Sequence, residues 1–355
     1  LGKGDLEGRR SVRLGAKPAL DADLRSGRLE VAELLAGHGA QPVAGAAPPG
    51  PAKPSAGDRL LSDHPLDLGA LQAIDATLKL EVGALPIPGV PLREVLVAGE
   101  LRDGALRLDR FEGTAIYGGR ATASLALESS GSGCRLATRG RLDGARFFVP
   151  DKGASPEKAP PFEVEFQLDG NGRSLHEIAA SLDGHALVVV GAGEVSNAHE
   201  RLTSGLVVGL LDALNPFRKS SDHTAFECGI VAATVKQGQA VVAPIAARTD
   251  KATVVGHGKV DFRTEDIALE WTTKPRTGVG LSPSLISNAY VKLGGTLSSP
   301  RLEVKPIQAA AATGVAVVTL GLSALAKGLY DRITAEENVC VNELAKMRVA
   351  VPRKP

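Results

Sequence analysis

Apolar and polar residues alternate with a period of two along most of this 355-residue chain. Leu78, Leu80 and Val82 alternate with polar residues, and Val95 and Val97 continue the pattern in the next segment. Because successive side chains of a β-strand point to opposite faces of the sheet, each segment predicts a strand with one apolar face. Similar segments follow at 121–127, 164–168, 226–235, 240–249, 253–262, 266–272, 290–297 and 302–305.

Turn residues recur between these segments. Both central residues of a type I′ turn have positive φ, which Asp-Gly adopts readily, so Asp-Gly between apolar runs predicts a hairpin. The aspartates are therefore assigned to backbone geometry and not to catalysis. We predict a mainly β chain, an elongated antiparallel meander with a few amphipathic helices. The pairs are Asp103-Gly104, Asp143-Gly144, Asp169-Gly170 and Asp183-Gly184.

Composition narrows the class of protein. The chain has 41 basic and 40 acidic residues and only 3% aromatics, which gives no case for nucleic acid as a partner. Its three cysteines, Cys134, Cys228 and Cys340, have no metal-ligand spacing. In an oxidising compartment one pair would form a disulfide, whereas in the cytosol all three would be buried thiols. The cysteine count alone does not decide between these.

The domain organisation follows from changes in composition. Residues 1–40 are interpreted as the end of a preceding β unit, and 41–57 form a linker rich in Pro, Ala and Gly. Residues 58–306 form the main β domain, which includes a helix at about 199–215 with a leucine stripe that contains Leu206 and Leu210. We expect residues 307–355 to form an Ala-rich helical segment.

Residues 306–326 contain no charged residue and are long enough to cross a bilayer. Their many Ala, Gly, Thr and Ser residues make them a marginal span, so we favour a packed hairpin helix or an interfacial helix. The chain begins at Leu1 and its only methionine is Met347, from which we expect a fragment or a processed product that has lost any N-terminal targeting or anchoring segment.

No motif indicates catalysis. Gly191 and Gly193 lack the third glycine of a dinucleotide-binding loop, since Ser196 stands at that position, and they predict a plain turn. The seven histidines are dispersed, no serine-nucleophile motif occurs, and Tyr117-Gly118-Gly119-Arg120 predicts a tight turn or bulge. We expect no metal and no cofactor. An enzyme would require a cluster that only the fold assembles.

Several short segments form a further pattern through their order and spacing. The segments are Leu61–Leu71, Leu101–Leu108, Tyr117–Gly119, Phe226–Ala232, Gly256–Phe262 and Val291–Pro300. Together they resemble the AsmA family of bacterial proteins. The resemblance covers about 58–306, and Cys340 near the end also matches the family pattern.

The resemblance implies a β domain curled into an open groove with an aliphatic interior, similar to bridge-like lipid-transfer proteins. It implies a periplasmic location in a Gram-negative bacterium, with an inner-membrane anchor outside this chain. The implied role is phospholipid transport and outer-membrane biogenesis, and regulation of protein targeting to membranes is a further family role. The implied partners are lipid acyl chains, the inner membrane, and outer-membrane or periplasmic proteins. It also suggests that Cys228 pairs with Cys340 while Cys134 stays free.

The hypothesised lipid site is the apolar side of the alternating strands, where no second sheet with bulky residues is evident to cover them. Acyl chains would then occupy a face that lacks large aromatics. The alternative is a structural or chaperone-like scaffold for outer-membrane assembly, in which the face packs against a second sheet or a client strand. The hypothesised lining residues are Leu78, Leu80, Val95, Val97, Leu125, Leu127, Val164 and Phe166.

Overall fold

The computed structural model describes residues 5–29, 59–66, 69–87, 91–130, 133–146, 155–196, 223–250, 252–275, 289–306 and 340. Strands make up 73% of this part of the chain, which confirms the mainly β prediction. The strands form a long, open sheet in which antiparallel pairs dominate. The chain divides into two compact units, residues 1–149 with 164–184 (unit 1) and residues 150–163 with 185–355 (unit 2).

Unit 1 is a sheet in which strands that follow one another in the chain are also neighbours. Two short helices, α1 (Gly69–Ala73) and α2 (Leu175–Ala180), accompany it. The strands are β1 (Glu7–Arg13), β2 (Ala19–Arg28), β3 (Asp75–Leu85), β4 (Leu92–Arg102), β5 (Ala105–Ala115), β6 (Arg120–Ser130), β7 (Gly133–Arg146) and most of β8 (Pro161–Gly172).

Unit 2 holds the remaining strands, and the six predicted between residues 226 and 305 are all present in it. The short strand β10 pairs with β11, and the others follow chain order. The strands are most of β9 (Asp183–Val190), β10 (Gly193–Ser196), β11 (His223–Lys236), β12 (Gln239–Thr249), β13 (Ala252–Asp261), β14 (Asp266–Pro275), β15 (Ala289–Gly295) and β16 (Pro300–Pro306).

β2 and β3 of unit 1 pair in parallel, with Leu24 beside Leu80 and Leu20 beside Ala76. Residues 1–40 are predicted to be the end of a preceding β unit, and their described part lies in the sheet of unit 1, where β2 pairs with β3. The described residues of the predicted 58–306 domain belong to both units.

The Asp-Gly pairs do not all form turns. Asp103 and Gly104, with φ of 51° and 79°, form the predicted hairpin between β4 and β5. The hairpin prediction is wrong for the other three pairs, which lie within β7, β8 and the start of β9. Glycine at position 184 allows two strands to approach each other closely, because a Cβ there would lie 2.0 Å from the carbonyl oxygen of Gln167.

Unit 2 is packed on both faces of its central strands. One cluster contains Ile230 and Ala246, each 1% exposed, with half-buried Leu187, Val189 and Val255 against it. The cluster on the other face includes the only tryptophan of the chain. Each buried Ile, Val or Leu side chain of these clusters contributes about 1.5–3 kcal/mol from removal of apolar surface. The second cluster comprises Ala247, Val254, Ile267, Trp271, Val291 and Leu293.

Several predicted features lie outside the described residues. They are the linker 41–57, the helix at about 199–215 with Leu206 and Leu210, and the segment 307–355 except Cys340.

Gly118 and Gly119 form the predicted turn between β5 and β6, with φ of 93° and 92°. They provide a matched pair of test positions because their surroundings differ. A Cβ on Gly119 would lie 2.4 Å from the backbone of Asp143 and Ala145, whereas one on Gly118 would be 3.8 Å from the nearest atom.

We expect Gly118→Ala to lower the free energy of unfolding by about 1–2 kcal/mol, because alanine is strained at positive φ. Gly119→Ala should cost clearly more, because the backbone of β7 must move. Urea unfolding measures both, and equal losses would contradict the close packing.

Candidate functional site

The strand register assembles most of the hypothesised lining residues on one face of unit 1. One row across the sheet pairs Leu80 with Val97, Val97 with Phe111, and Phe111 with Ala123. Side chains at even separations along a strand share a face. The hypothesised residues Leu78, Val95, Leu125 and Leu127 stand two or four positions from members of this row and lie on the same face.

Phe166 and Val164 belong to this face as well. Gly140 pairs with Ala123 in the row described above, and a Cβ on Gly140 would lie 2.5 Å from Cε1 of Phe166. The Phe166 ring therefore covers Gly140 on the side that carries Ala123. Val164 is two residues earlier in the same strand. We call the face that carries all eight hypothesised residues the aliphatic face.

The aliphatic face is larger than the hypothesised set. Leu101 pairs with Leu106, Leu106 with Leu127, and Leu127 with Leu136, which gives a second apolar row. The alternation of residues around Leu136 in the sequence would have identified Leu136 as a further residue of this face. Leu20 and Leu24 of β2 extend the face through the parallel pairing with β3, and nothing in the sequence indicates that pairing.

Burial divides the aliphatic face into two parts. Val95 is 2% exposed, and it belongs to a solidly packed end that also contains Val82, Leu85, Leu92 and Ala115. The other seven hypothesised residues are half-buried. The middle of the face is thus less enclosed than the packed end, and its side chains retain contact with solvent.

The opposite face of unit 1 is charged. Arg107 binds Glu128 at 3.0 Å across β5 and β6, and Arg141 binds Glu165 at 3.2 Å. Further ion pairs join Lys79 to Glu81 and Arg110 to Glu112, both at 2.8 Å. Exposed pairs of this kind contribute little to stability, about 0–1 kcal/mol each. These charged side chains keep one face of the sheet hydrated, whereas the other face is aliphatic.

A cluster of charged residues lies beside the β4–β5 hairpin of unit 1. Lys17 pairs with Asp75 and, at 2.9 Å, with Asp103. The backbone N–H of Asp103 donates to Asp75 at 3.1 Å. The Lys17 ammonium first, and this N–H second, hold the pKa of the Asp75 carboxyl below its usual value. The cluster therefore ties the loop before β2, the start of β3 and the hairpin together.

Two shallow depressions on unit 1 are bordered largely by polar side chains. One lies over β1–β3 among Arg9, Asp23 and Lys79, and the other lies over β5–β8 among Arg107 and Asp169. Neither is the hypothesised hydrophobic groove.

In unit 2 a disulfide joins Cys228 of β11 to Cys340, with their Cα atoms 6.2 Å apart. This is the pair that the resemblance suggested. Cys134 is a buried free thiol that donates weakly to the carbonyl of Gly172 at 3.5 Å. Burial raises the pKa of this thiol, which keeps it protonated and unreactive near neutral pH.

The described part of the chain contains no group of three or more His, Cys, Asp or Glu residues that could hold a metal ion. Within the same residues, no helix is both long and apolar enough to cross a membrane. Comparisons of the chain with protein-family models, with curated proteins and with solved structures found no match.

The charge cluster predicts how stability depends on pH. The pKa of Asp75 is lower in the folded chain, so its stabilisation is present above its unfolded value of about 3.9 and is lost as the pH falls through the folded value. Asp75→Asn keeps an acceptor for Asp103 but removes the charge. We expect it to lower the urea midpoint at about pH 7 and to have little effect at about pH 2. Asp109→Asn, at an exposed position in β5, should be neutral at both. An equal loss at both pH values would assign the effect of Asp75 to packing.

The disulfide closes a loop with a sequence separation of 112 residues. In the chain-entropy model a bridge of this length stabilises by about 4–5 kcal/mol relative to the reduced chain. Thiol counting under denaturing, non-reducing conditions should find one free thiol. Cys340→Ser should lower the denaturation midpoint and make it insensitive to reductant, whereas Cys134→Ala should leave the reductant effect intact. Three free thiols in the untreated protein would refute the pairing.

Proposed function

We propose that this chain is the periplasmic part of an AsmA-type protein that binds lipid acyl chains on the aliphatic face of unit 1. In this proposal it is not an enzyme, and it supports phospholipid transport and outer-membrane homeostasis or assembly. The observation that carries the proposal is the combination of a continuous, half-buried aliphatic surface with a charged opposite face.

The dimensions of the aliphatic face suit an alkyl chain. From β2 to β8 it crosses seven strands, and at about 4.8 Å per step this gives about 29 Å. The hydrocarbon core of a bilayer, which contains two layers of acyl chains, is about 30 Å thick. A single acyl chain therefore fits across the strands with room to move.

The chemistry of the face also suits a sliding ligand. Its side chains are mainly Leu, Val and Ala, which offer dispersion contacts but few hydrogen bonds that would hold a head group in one place. Phe111 and Phe166 are aromatic residues on this face. Burial of alkyl surface at about 25 cal/mol per Å² is then the driving force for binding.

The proposed periplasmic location is supported by the disulfide between Cys228 and Cys340. Disulfides persist in oxidising compartments and are rare in the cytosol. The inner-membrane anchor in the proposal belongs to a longer protein and lies outside this chain.

A charge placed on the aliphatic face tests the proposal. Leu127→Glu and Val97→Glu put a carboxylate among half-buried positions, where water can hydrate it when no lipid is bound. We expect near-normal thermal melting but loss of the lipid that co-purifies with the chain, as detected by mass spectrometry of organic extracts. Cells that carry either substitution in the full-length protein should have a leaky outer membrane.

The matched control is Ala126→Glu, one position from Leu127 in β6 but on the charged face beside Arg107. It should keep both the fold and the bound lipid. Collapse of the fold in both aliphatic-face variants would indicate a solid core. Absence of lipid from the unmodified chain, together with retention of client proteins, would favour the scaffold role. Full lipid loading in the variants would remove the aliphatic face as the binding surface.

A further inference from the structure

The two loops that join β3 to β4 and β5 to β6 lie at the same edge of unit 1. Leu92, the first residue of β4, pairs with Leu85 at the end of β3 and with Ala115 at the end of β5. The backbone N–H of Ile116 donates to the carbonyl of Pro91 at 2.9 Å, so the two loops are in direct contact. We call the described residues of these loops the apolar tip, which comprises Pro86, Ile87, Pro91 and 116–119.

The apolar tip has an unusual composition for exposed loops. Ile87 is 37% exposed and Ile116 is 47% exposed. The sequence from Val82 to Leu92 consists only of Val, Gly, Ala, Leu, Pro and Ile, and Ile116 is followed by Tyr and two glycines. Surface turns normally contain Asn, Asp or Ser, whose side chains form hydrogen bonds. Two adjoining loops of apolar composition therefore indicate contact with an apolar partner.

The backbone of the apolar tip makes its own hydrogen bonds. The N–H of Gly118 donates to the carbonyl of Ala115, and the N–H of Ala115 donates to the carbonyl of Gly119, both at 3.0 Å. The Ile116 N–H is paired with Pro91, and proline itself has no N–H. Unpaired backbone groups are costly in hydrocarbon, so a segment that enters a bilayer has to pair them internally. The apolar tip meets this requirement at each of these positions.

Positive charge adjoins the apolar tip. Arg93 is the second residue of β4 and Arg120 is the first residue of β6, and both are exposed. Within the described part of the chain no acidic side chain forms a salt bridge with either of them. Glu94 follows Arg93, and Asp143 beside Arg120 binds Arg141 at 2.6 Å, so the arginines outnumber the carboxylates here. Arginine side chains at this position can reach lipid phosphates while the apolar loops enter the interface.

The opposite edge of unit 1 is built differently. It holds the charge cluster around Lys17, and α1 lies against β4 and β5 there. Leu175 of α2 is 51% exposed, but it stands between Arg173 and Glu177, whose side chains pair at 2.8 Å. The edge with the apolar tip has neither a charged side chain in its described loop residues nor a described helix against it.

A bilayer suits the apolar tip better than another protein does. Stable protein interfaces bury about 800 Å² on each partner, and two partly exposed isoleucines with their flanking prolines offer a small part of that area. The paired N–H groups of Ala115, Ile116 and Gly118 cannot join a further strand. A lipid interface needs only shallow insertion of apolar side chains together with attraction to anionic head groups.

We infer that the apolar tip is a membrane-contact site of unit 1. Ile87 and Ile116 enter the interfacial layer of a bilayer, and Arg93 and Arg120 contact anionic phospholipid head groups. This contact turns one edge of the sheet towards the membrane surface. It is separate from acyl-chain binding on the aliphatic face, and neither depends on the other.

The test is flotation of the full chain with vesicles of phosphatidylcholine and phosphatidylglycerol. Ile116→Asp and Ile87→Asp should each weaken binding at least about tenfold, because a charge replaces a side chain that enters the apolar layer. Thermal melting should stay near that of the unmodified chain, since both positions are exposed loop residues. The matched control is Leu175→Asp, which is similarly exposed and places an acid in the first turn of a helix, where it is tolerated. It should leave binding unchanged.

The arginines are tested separately. Arg93→Gln combined with Arg120→Gln should weaken binding to these anionic vesicles about fivefold for each arginine. The weaker binding to vesicles of phosphatidylcholine alone should not change. Arg93→Lys combined with Arg120→Lys keeps the charge and should retain binding to the anionic vesicles. Equal binding by the Gln and Lys variants would contradict the role of the arginines.

Fluorescence locates the contact. Brominated phospholipids quench tryptophan only at short range, and Trp271, the only tryptophan of the chain, is 2% exposed. They should quench the indole added by Ile116→Trp but not the one added by Leu175→Trp.

Several results would overturn the inference. They are failure of the unmodified chain to bind vesicles, equal losses in Ile116→Asp and Leu175→Asp, and quenching of Leu175→Trp to the same extent as Ile116→Trp. Self-association of the chain that Ile116→Asp abolishes would assign the apolar tip to a second copy. Co-purified lipid should be retained in Ile116→Asp, and vesicle binding should be retained in Leu127→Glu. These two measurements distinguish failure of the membrane contact from failure of the proposed function.

Discussion

Cross-strand register is the constraint on which the rest of unit 1 depends. Leu80, Val97, Phe111 and Ala123 lie in one row because each strand is paired without a slip that would change its face. A slip of one residue would move the aliphatic side chains of that strand to the charged side. Bulges between Ala98 and Glu100, and between Leu108 and Phe111, absorb local irregularities while the apolar set stays together.

The sheets of the two units are packed differently. Central strands of unit 2 bury side chains on both faces, as at Ile230 and Val254, and a disulfide joins β11 to Cys340. Unit 1 has one half-buried aliphatic face and one face of ion pairs. A sheet packed on both sides is stable but has little free surface for a ligand. The one-sided sheet of unit 1 is where a hydrophobic ligand can be accommodated, and this is why the proposed function is placed there.

Glycine shows why local sequence signals are ambiguous. Asp103-Gly104 and Asp183-Gly184 are the same dipeptide between apolar runs, yet the first forms a hairpin turn and the second is the start of strand β9. At Gly184 the requirement is absence of a Cβ against the Gln167 carbonyl, a contact between residues of different strands. A short-range pattern describes what a dipeptide can adopt, but it contains no information about which neighbouring strand will approach it.

The alternation around Leu78, Val95, Leu125 and Phe166 by itself determined that the chain is mainly β and that these residues share the apolar sides of their strands. It could do so because a period of two is a local property of extended backbone. Which strands pair was decided only in the tertiary structure. The parallel partnership of β2 with β3 spans a long intervening segment, and the division into two units depends on contacts between distant residues. Burial of Val95 beside the half-exposed Leu127 likewise depends on what packs above each side chain, which no local pattern encodes.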